Sequence, residues 1–214
     1  MEGMGFFETL LGYVLETSML EWIAVVTGLI YVILASYQSL WCWFFAIISS
    51  GLYVYICIDF DLYIESGLQL FYVAMAILGW FSWKKTEVSQ TDNRNLNAAK
   101  NVSTIEVWSL KIHLINIIVS GVAAFILGWI FENYTNQSNP YMDSFTTIFS
   151  LLATFMVTKR VLENWIYWIV IDLVAIFLYS SRGLYLSSIL YTLFTFLAVF
   201  GLLSWYKEYK SSLS

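Results

Sequence analysis

Seven stretches of this chain are each long and apolar enough to cross a lipid bilayer, and together they leave little else. A hydrocarbon core about 30 Å thick needs about 20 mainly apolar residues rising 1.5 Å each. The windows run Trp22 to Gln38, Leu40 to Ile58, Leu62 to Trp83, Trp108 to Phe131, Asp143 to Thr158, Leu162 to Ser180 and Leu184 to Tyr206. They are too long for barrel strands and lack period-2 alternation, so helices are the only sensible form. Composition agrees, at 60% hydrophobic and 12% charged against about 25% charged in soluble chains. The expected fold class is an all-α membrane protein with seven transmembrane helices. Residues 1–20 mix Phe6, Phe7, Leu10 and Leu11 with Glu2, Glu8 and Glu16, the pattern of an interfacial helix. Without a Lys or Arg they are not a cleavable signal peptide.

Basic residues set the orientation. Lys84, Lys85, Arg94, Lys100, Lys111, Lys159, Arg160, Lys207 and Lys210 fall on one side, and Arg182 alone on the other. The N-terminus is therefore expected outside and the C-terminus in the cytoplasm, with the polar stretch Val88 to Ser103 a flexible cytoplasmic linker.

Sliding the chain on itself by 122 positions lays the third window on the seventh. Leu62 meets Leu184, Tyr63 Tyr185, Ser66 Ser188, Leu68 Leu190, Ala76 Ala198, Gly79 Gly201, Ser82 Ser204, Trp83 Trp205 and Lys85 Lys207. The same offset sets Leu40 on Leu162, Trp43 on Trp165 and Ile47 on Ile169. A duplication accounts for this better than biased composition. The expected organisation is an interfacial helix (1–20), a three-helix repeat (21–85), a cytoplasmic linker (86–107), a linker helix (108–131), a second repeat (142–207) and a cytoplasmic tail (208–214). One linker helix between two triplets makes them parallel, related by an axis along the membrane normal, with substrate expected between the halves near the bilayer midplane.

Ionisable and amide groups inside spans are costly and so informative. Asp172 sits in the middle of its span, where it cannot reach water. Trp165, Trp168 and Asp172 stand at i, i+3 and i+7, giving one helix face two indoles and a carboxylate. Such a face suits a flat cationic ligand, held by stacking, cation–π attraction and charge; the alternative is an Asp172 that only bonds a neighbouring helix or stays neutral. Gln69 is a second candidate, as a substrate hydrogen-bonder or as glue between helices, and Tyr191 is its repeat equivalent. Trp43 matches Trp165 in the first repeat, while Ser50 stands where Asp172 does. Asn164, one turn from Trp168, is either a further substrate contact or a packing residue. Trp80, Trp83, Trp108 and Trp205 read as interfacial aromatic belts, Glu163 as a local ion pair with Lys159 and Arg160, and His113 as a satisfied interfacial residue. Gly51 and Gly67 stand in as candidate hinges, since the one proline, Pro140, is in a loop.

Enzymatic function is not expected. One histidine and two cysteines, Cys42 and Cys57, make neither a catalytic set nor a metal site. Lys207 and Lys210 sit too near the end of the last helix for a retinal Schiff base. No cofactor is implied, and a net charge of −5 argues against nucleic acid.

The run Glu163-Asn164-Trp165-Ile166-Tyr167-Trp168-Ile169-Val170-Ile171-Asp172 resembles the W-x-x-W-x-x-x-N/D signature of the PnuC family of bacterial vitamin transporters, and Leu62 through Trp83 resembles its third span. The resemblance implies a SWEET-like three-plus-one-plus-three fold, a homotrimer in the bacterial inner membrane, and facilitated diffusion of nicotinamide riboside followed by trapping through a cytoplasmic kinase. Carried over, Trp165, Trp168 and Asp172 would line the site, faced by Gln69 and Trp43. Thiamin, which other family members carry, is the alternative substrate, and a receptor that binds without transport is the alternative of another class.

Overall fold

Helix α1, Met19–Ser36, starts at a capping box in which the Ser18 hydroxyl accepts from the Glu21 N–H at 3.2 Å and the Glu21 carboxylate accepts from the Ser18 N–H at 2.7 Å. It is followed by α2 (Cys42–Asp59), α3 (Tyr63–Asn95), α4 (Leu110–Tyr134), α5 (Pro140–Thr158), α6 (Asn164–Ser181) and α7 (Tyr185–Leu213). This computed structural model describes residues 12, 14, 15, 17–60, 63–95, 105–135 and 138–213. The expected interfacial helix over 1–20 lies largely outside the described residues, as does 96–104 of the expected linker. The part of that linker up to Asn95 is not loop but continued α3 helix.

Helix α1 packs on α2 and α2 on α3; in the second half α5 packs on α6 and α6 on α7. Two pairings join the halves, α1 with α7 and α3 with α5, while α4 packs mainly on α5, with His113 reaching Tyr167 of α6. Most of α4 is accordingly bare and apolar: Ile118, Val119, Val122 and Phe125 are exposed, and only the small Ser120, Ala124 and Gly128 are buried. At Gly128 the backbone of Tyr141 comes so close that a Cβ would stand 3.0 Å from its Cα.

Among the described residues, six of the seven helices are long and apolar enough to cross a membrane. Helix α5 is the exception, and burial explains it. Its Ser144, Ser150 and Thr154 are buried inside the bundle, and the Thr154 hydroxyl donates to the Ser150 carbonyl at 2.7 Å. A helix surrounded by other helices needs less apolar surface than one bathed in lipid.

The ends of α1 and α5 match. After α1 the chain turns left-handed at Gln38 (φ 55°), and after α5 at Arg160 (φ 53°). At the first end Gln38 N–H donates to Ala35 O at 2.9 Å and Ser39 N–H to Leu34 O at 3.0 Å; at the second Arg160 N–H donates to Val157 O at 2.9 Å and Val161 N–H to Met156 O at 3.0 Å. These are Schellman closures, and each atom pair of one stands at the repeat offset from its counterpart. Beside the second, Glu106 N–H donates to Arg160 O at 3.0 Å and Leu162 N–H to Glu106 O at 2.8 Å, tying the start of the α4 segment to the α5–α6 turn.

The core sits at this end of the bundle. Trp43, Trp83, Trp165 and Trp205 share one cluster with Ala35, Cys42 and Val157. Trp83 and Trp205, expected in interfacial belts, are 0% exposed. Their rings turn inward because the helices of opposite halves meet there, a contact the linear sequence does not reveal.

Candidate functional site

A cavity of about 890 Å³ runs between the two halves, within the range of about 300–1,000 Å³ typical of small-molecule sites. At one end it reaches the surface, where Glu65, Ser138, Asp143 and Arg182 line it. There the Arg182 guanidinium donates to the Asp143 carboxylate at 2.6 Å, bridging the start of α5 to the turn after α6. At the other end its last residues are Ala35, Trp43, Val157 and Trp165, and beneath them lies the buried tryptophan cluster.

Each wall is a helical stripe. From α6 and the turn after it come Trp165, Trp168, Asp172, Ala175, Tyr179 and Arg182, spaced by three or four residues so that they share one face. Asp172 is 3% exposed, and no salt bridge among the described residues involves it. A carboxylate in such a place is stabilised by a cation or by hydrogen-bond donors, and a ligand can supply either. From α3 come Glu65, Leu68, Tyr72 and Ala76, and from α7 Tyr191, Phe194 and Ala198. Tyr179 and Tyr191 stack at 5.2 Å and 13°, placing two phenol rings on the wall toward the polar mouth.

The structure therefore brings Trp43, Trp165, Trp168, Asp172 and Tyr191 onto one cavity, together with Ser50. Gln69 is half-buried but does not line it. One residue after Leu68, it is turned about 100° around α3 from the lining stripe. Asn164 is 0% exposed and also lies off the cavity, its side-chain N–H donating to the Val161 carbonyl at 2.6 Å. Glu163 turns toward α4, accepting from the Trp108 N–H at 3.3 Å and standing 3.7 Å from His113 Nε2; the His113 Nδ1 is 3.0 Å from the Tyr167 hydroxyl. Tyr31, Tyr72, Tyr179 and Ser150 line the cavity without having been singled out from the sequence. The repeat offset carried a signal for one of them, since it pairs Tyr72 with Phe194 and both are on the wall.

The floor is built twice over. Trp43 meets Trp83 edge-on at 5.2 Å and 82°, and Trp165 meets Trp205 at 5.4 Å and 89°. Trp43 lies against Gly79 and Trp165 against Gly201, so closely that a Cβ at Gly201 would stand 2.7 Å from the Trp165 ring. Gly51 and Gly67, the candidate hinges, have nothing among the described residues within 4 Å of such a Cβ. Among the described residues there is no group of three or more His, Cys, Asp or Glu able to hold a metal.

Comparison with known proteins places this architecture. The chain is 28% identical over 206 residues to the nicotinamide riboside transporter PnuC of Escherichia coli, an alignment covering 89% of this chain and 86% of that one. It is 26% identical to the protein of the same name from Neisseria mucosa, over 90% of this chain and 74% of that one. It is 25% identical to the riboflavin/roseoflavin transporter RibM of Streptomyces davaonensis, over 85% and 81%. A crystal structure of the vitamin B3 transporter PnuC superimposes with a TM-score of 0.72 at 22% identity, covering 99% of this chain and 95% of that one, so the two share a fold. Residues 18–207 match the family model described as nicotinamide mononucleotide transporter, and the chain belongs to that family of membrane transporters.

Proposed function

We propose that this protein carries nicotinamide riboside through the cavity between its halves by facilitated diffusion, with trapping by a separate cytoplasmic kinase. The observation that carries the reading is Asp172, a buried carboxylate without a salt-bridge partner among the described residues, on the same cavity wall as Trp165 and Trp168. A nicotinamide ring bearing a ribose is a flat permanent cation. Indole faces attract it, the carboxylate offsets its charge, and the phenols of Tyr179 and Tyr191 offer hydrogen bonds to sugar hydroxyls. The names of the relatives from Escherichia coli and Neisseria mucosa support the same substrate.

Seven crossings in a three-plus-one-plus-three arrangement belong to this proposal. The matched closures after α1 and α5 and the reciprocal α1–α7 and α3–α5 pairings support it. In this reading α5 is the seventh span, sheltered from lipid by its neighbours. The N-terminus faces out and the C-terminus the cytoplasm of a bacterial inner membrane, as the basic residues favour, so the Arg182–Asp143 end of the cavity is the outer one. The assembly is a homotrimer, for which the bare apolar face of α4 offers a contact.

Calorimetric titration of purified protein with nicotinamide riboside, thiamin and riboflavin in parallel tests the substrate. Binding of the riboside with no heat from the other two is the expected result. Binding of thiamin or riboflavin in its place would reassign the cargo, and binding without counterflow in vesicles would make the protein a receptor.

A further inference from the structure

Beneath the cavity, the Trp83 indole N–H of α3 donates to the Val157 carbonyl in the last turn of α5 at 3.2 Å. The Trp205 indole N–H of α7 donates to the Ala35 carbonyl in the last turn of α1 at 3.0 Å. Both tryptophans, and both carbonyls, are related by the repeat offset, so each half reaches across and holds the end of the other half's first helix. The two rings meet at the centre, 6.1 Å apart, and the Arg160 guanidinium lies 4.4 Å from the Trp83 ring centroid. Outer strands of the same contact run from Ser82 Oγ to the Thr158 carbonyl at 3.0 Å and from Gln38 Nε2 to Glu208 at 2.5 Å. These hydrogen bonds and the Trp83–Trp205 ring contact all join one half to the other beneath the cavity.

We propose that Trp83 and Trp205 are the gate that closes this end of the cavity, with Trp43 and Trp165 linking the binding site to it. Three observations converge. The hydrogen bonds join the two halves rather than neighbours within one, as a latch requires and simple core packing does not. Trp43 and Trp165 have one side on the cavity and an edge on the latch, so a ligand lying on them touches the gate through one ring. Among the described residues their own indole N–H groups meet no acceptor in this closed arrangement, so moving these rings breaks no hydrogen bond described for them. The gate rests on the transport reading for its purpose, but its existence is measurable without any substrate.

The chain carries its own reporters. Cys42 lies in the gate cluster at 0% exposed, and Cys57, 9% exposed, lies at the other end of α2. In proteoliposomes, a membrane-impermeant methanethiosulfonate applied from the α3 and α7 C-terminal face is expected to modify Cys42 of a Cys57→Ser protein slowly. Trp83→Phe and Trp205→Phe keep a ring but lose the N–H. Each is expected to raise that rate about fivefold, the worth of one hydrogen bond, and the pair about 25-fold if the two add. Should the double variant not fold, the single variants carry the test. In the complementary Cys42→Ser background, Cys57 labelling is expected to stay constant or fall, because opening one end closes the other. Unchanged Cys42 labelling in the single variants overturns the gate. So does an equal rise at both cysteines, the mark of general loosening. Failure of riboside binding with the sided rise at Cys42 intact would remove the proposed substrate and leave the gate standing.

Discussion

The indole of Trp165 rests on Gly201 so closely that an added Cβ would stand 2.7 Å from its ring. The first half repeats the arrangement with Trp43 on Gly79. Ring and helix are therefore mutually fitted, and the glycines serve close packing rather than bending. Gly201→Ala and Gly79→Ala are each expected to cost about 1–3 kcal/mol through overpacking. Gly51→Ala and Gly67→Ala, which meet nothing within 4 Å, are expected to be neutral or mildly stabilising, since alanine favours the helix by about 1 kcal/mol over glycine. Thermal unfolding in detergent separates the two classes.

Asp172 governs cation affinity in the proposed site. Removing a charged partner costs about 1.5–3 kcal/mol, so Asp172→Ala is expected to weaken nicotinamide riboside binding about 10- to 150-fold while expression and the unfolding midpoint hold. Asp172→Asn keeps a hydrogen-bonding group and is expected to lose less. Calorimetry on both variants checks this, and wild-type affinity in both would place the site elsewhere.

The Arg182–Asp143 pair at the cavity mouth is partly exposed, with side chains 26% and 21% accessible. Screening by solvent limits such a pair to roughly 1 kcal/mol or less. A double-mutant cycle with Asp143→Asn and Arg182→Gln is expected to give a coupling of that size in stability, smaller in high salt.

How much of this was legible in the sequence depended on which contacts lie along the chain. Apolar run length depends only on local composition, and the window Trp22 to Gln38 contains all but the first turn of α1. The i, i+3, i+7 spacing of Trp165, Trp168 and Asp172 likewise placed them together on one wall. Gln69 stands out in the sequence as a polar residue in a span, but polarity does not say which way a helix is turned, and the α3 stripe passes through Leu68 and Tyr72. Trp83 and Trp205 read as belt residues because they are tryptophans near a span end. Only the meeting of α3 with α5 and of α7 with α1 puts them in the core. The repeat offset already paired them, and it identifies the matched latch once structure supplies their partners.

Orientation is open to direct test. With nine basic residues assigned to one side and Arg182 to the other, the rule for basic loops places the C-terminus in the cytoplasm. Green fluorescent protein fused after Ser214 is expected to be fluorescent in bacterial cells, and alkaline phosphatase fused there to be inactive. The reverse pair of results would invert every statement about which end of the cavity faces out.

The most direct test of the central claim is uptake of radiolabelled nicotinamide riboside into proteoliposomes of the purified protein, with no ion gradient imposed. The expected result is saturable entry that stops when inside and outside concentrations are equal, is accelerated by unlabelled riboside trapped within, and is strongly reduced in Asp172→Ala. Entry no faster than into protein-free vesicles, or uptake unaffected by Asp172→Ala, would contradict it.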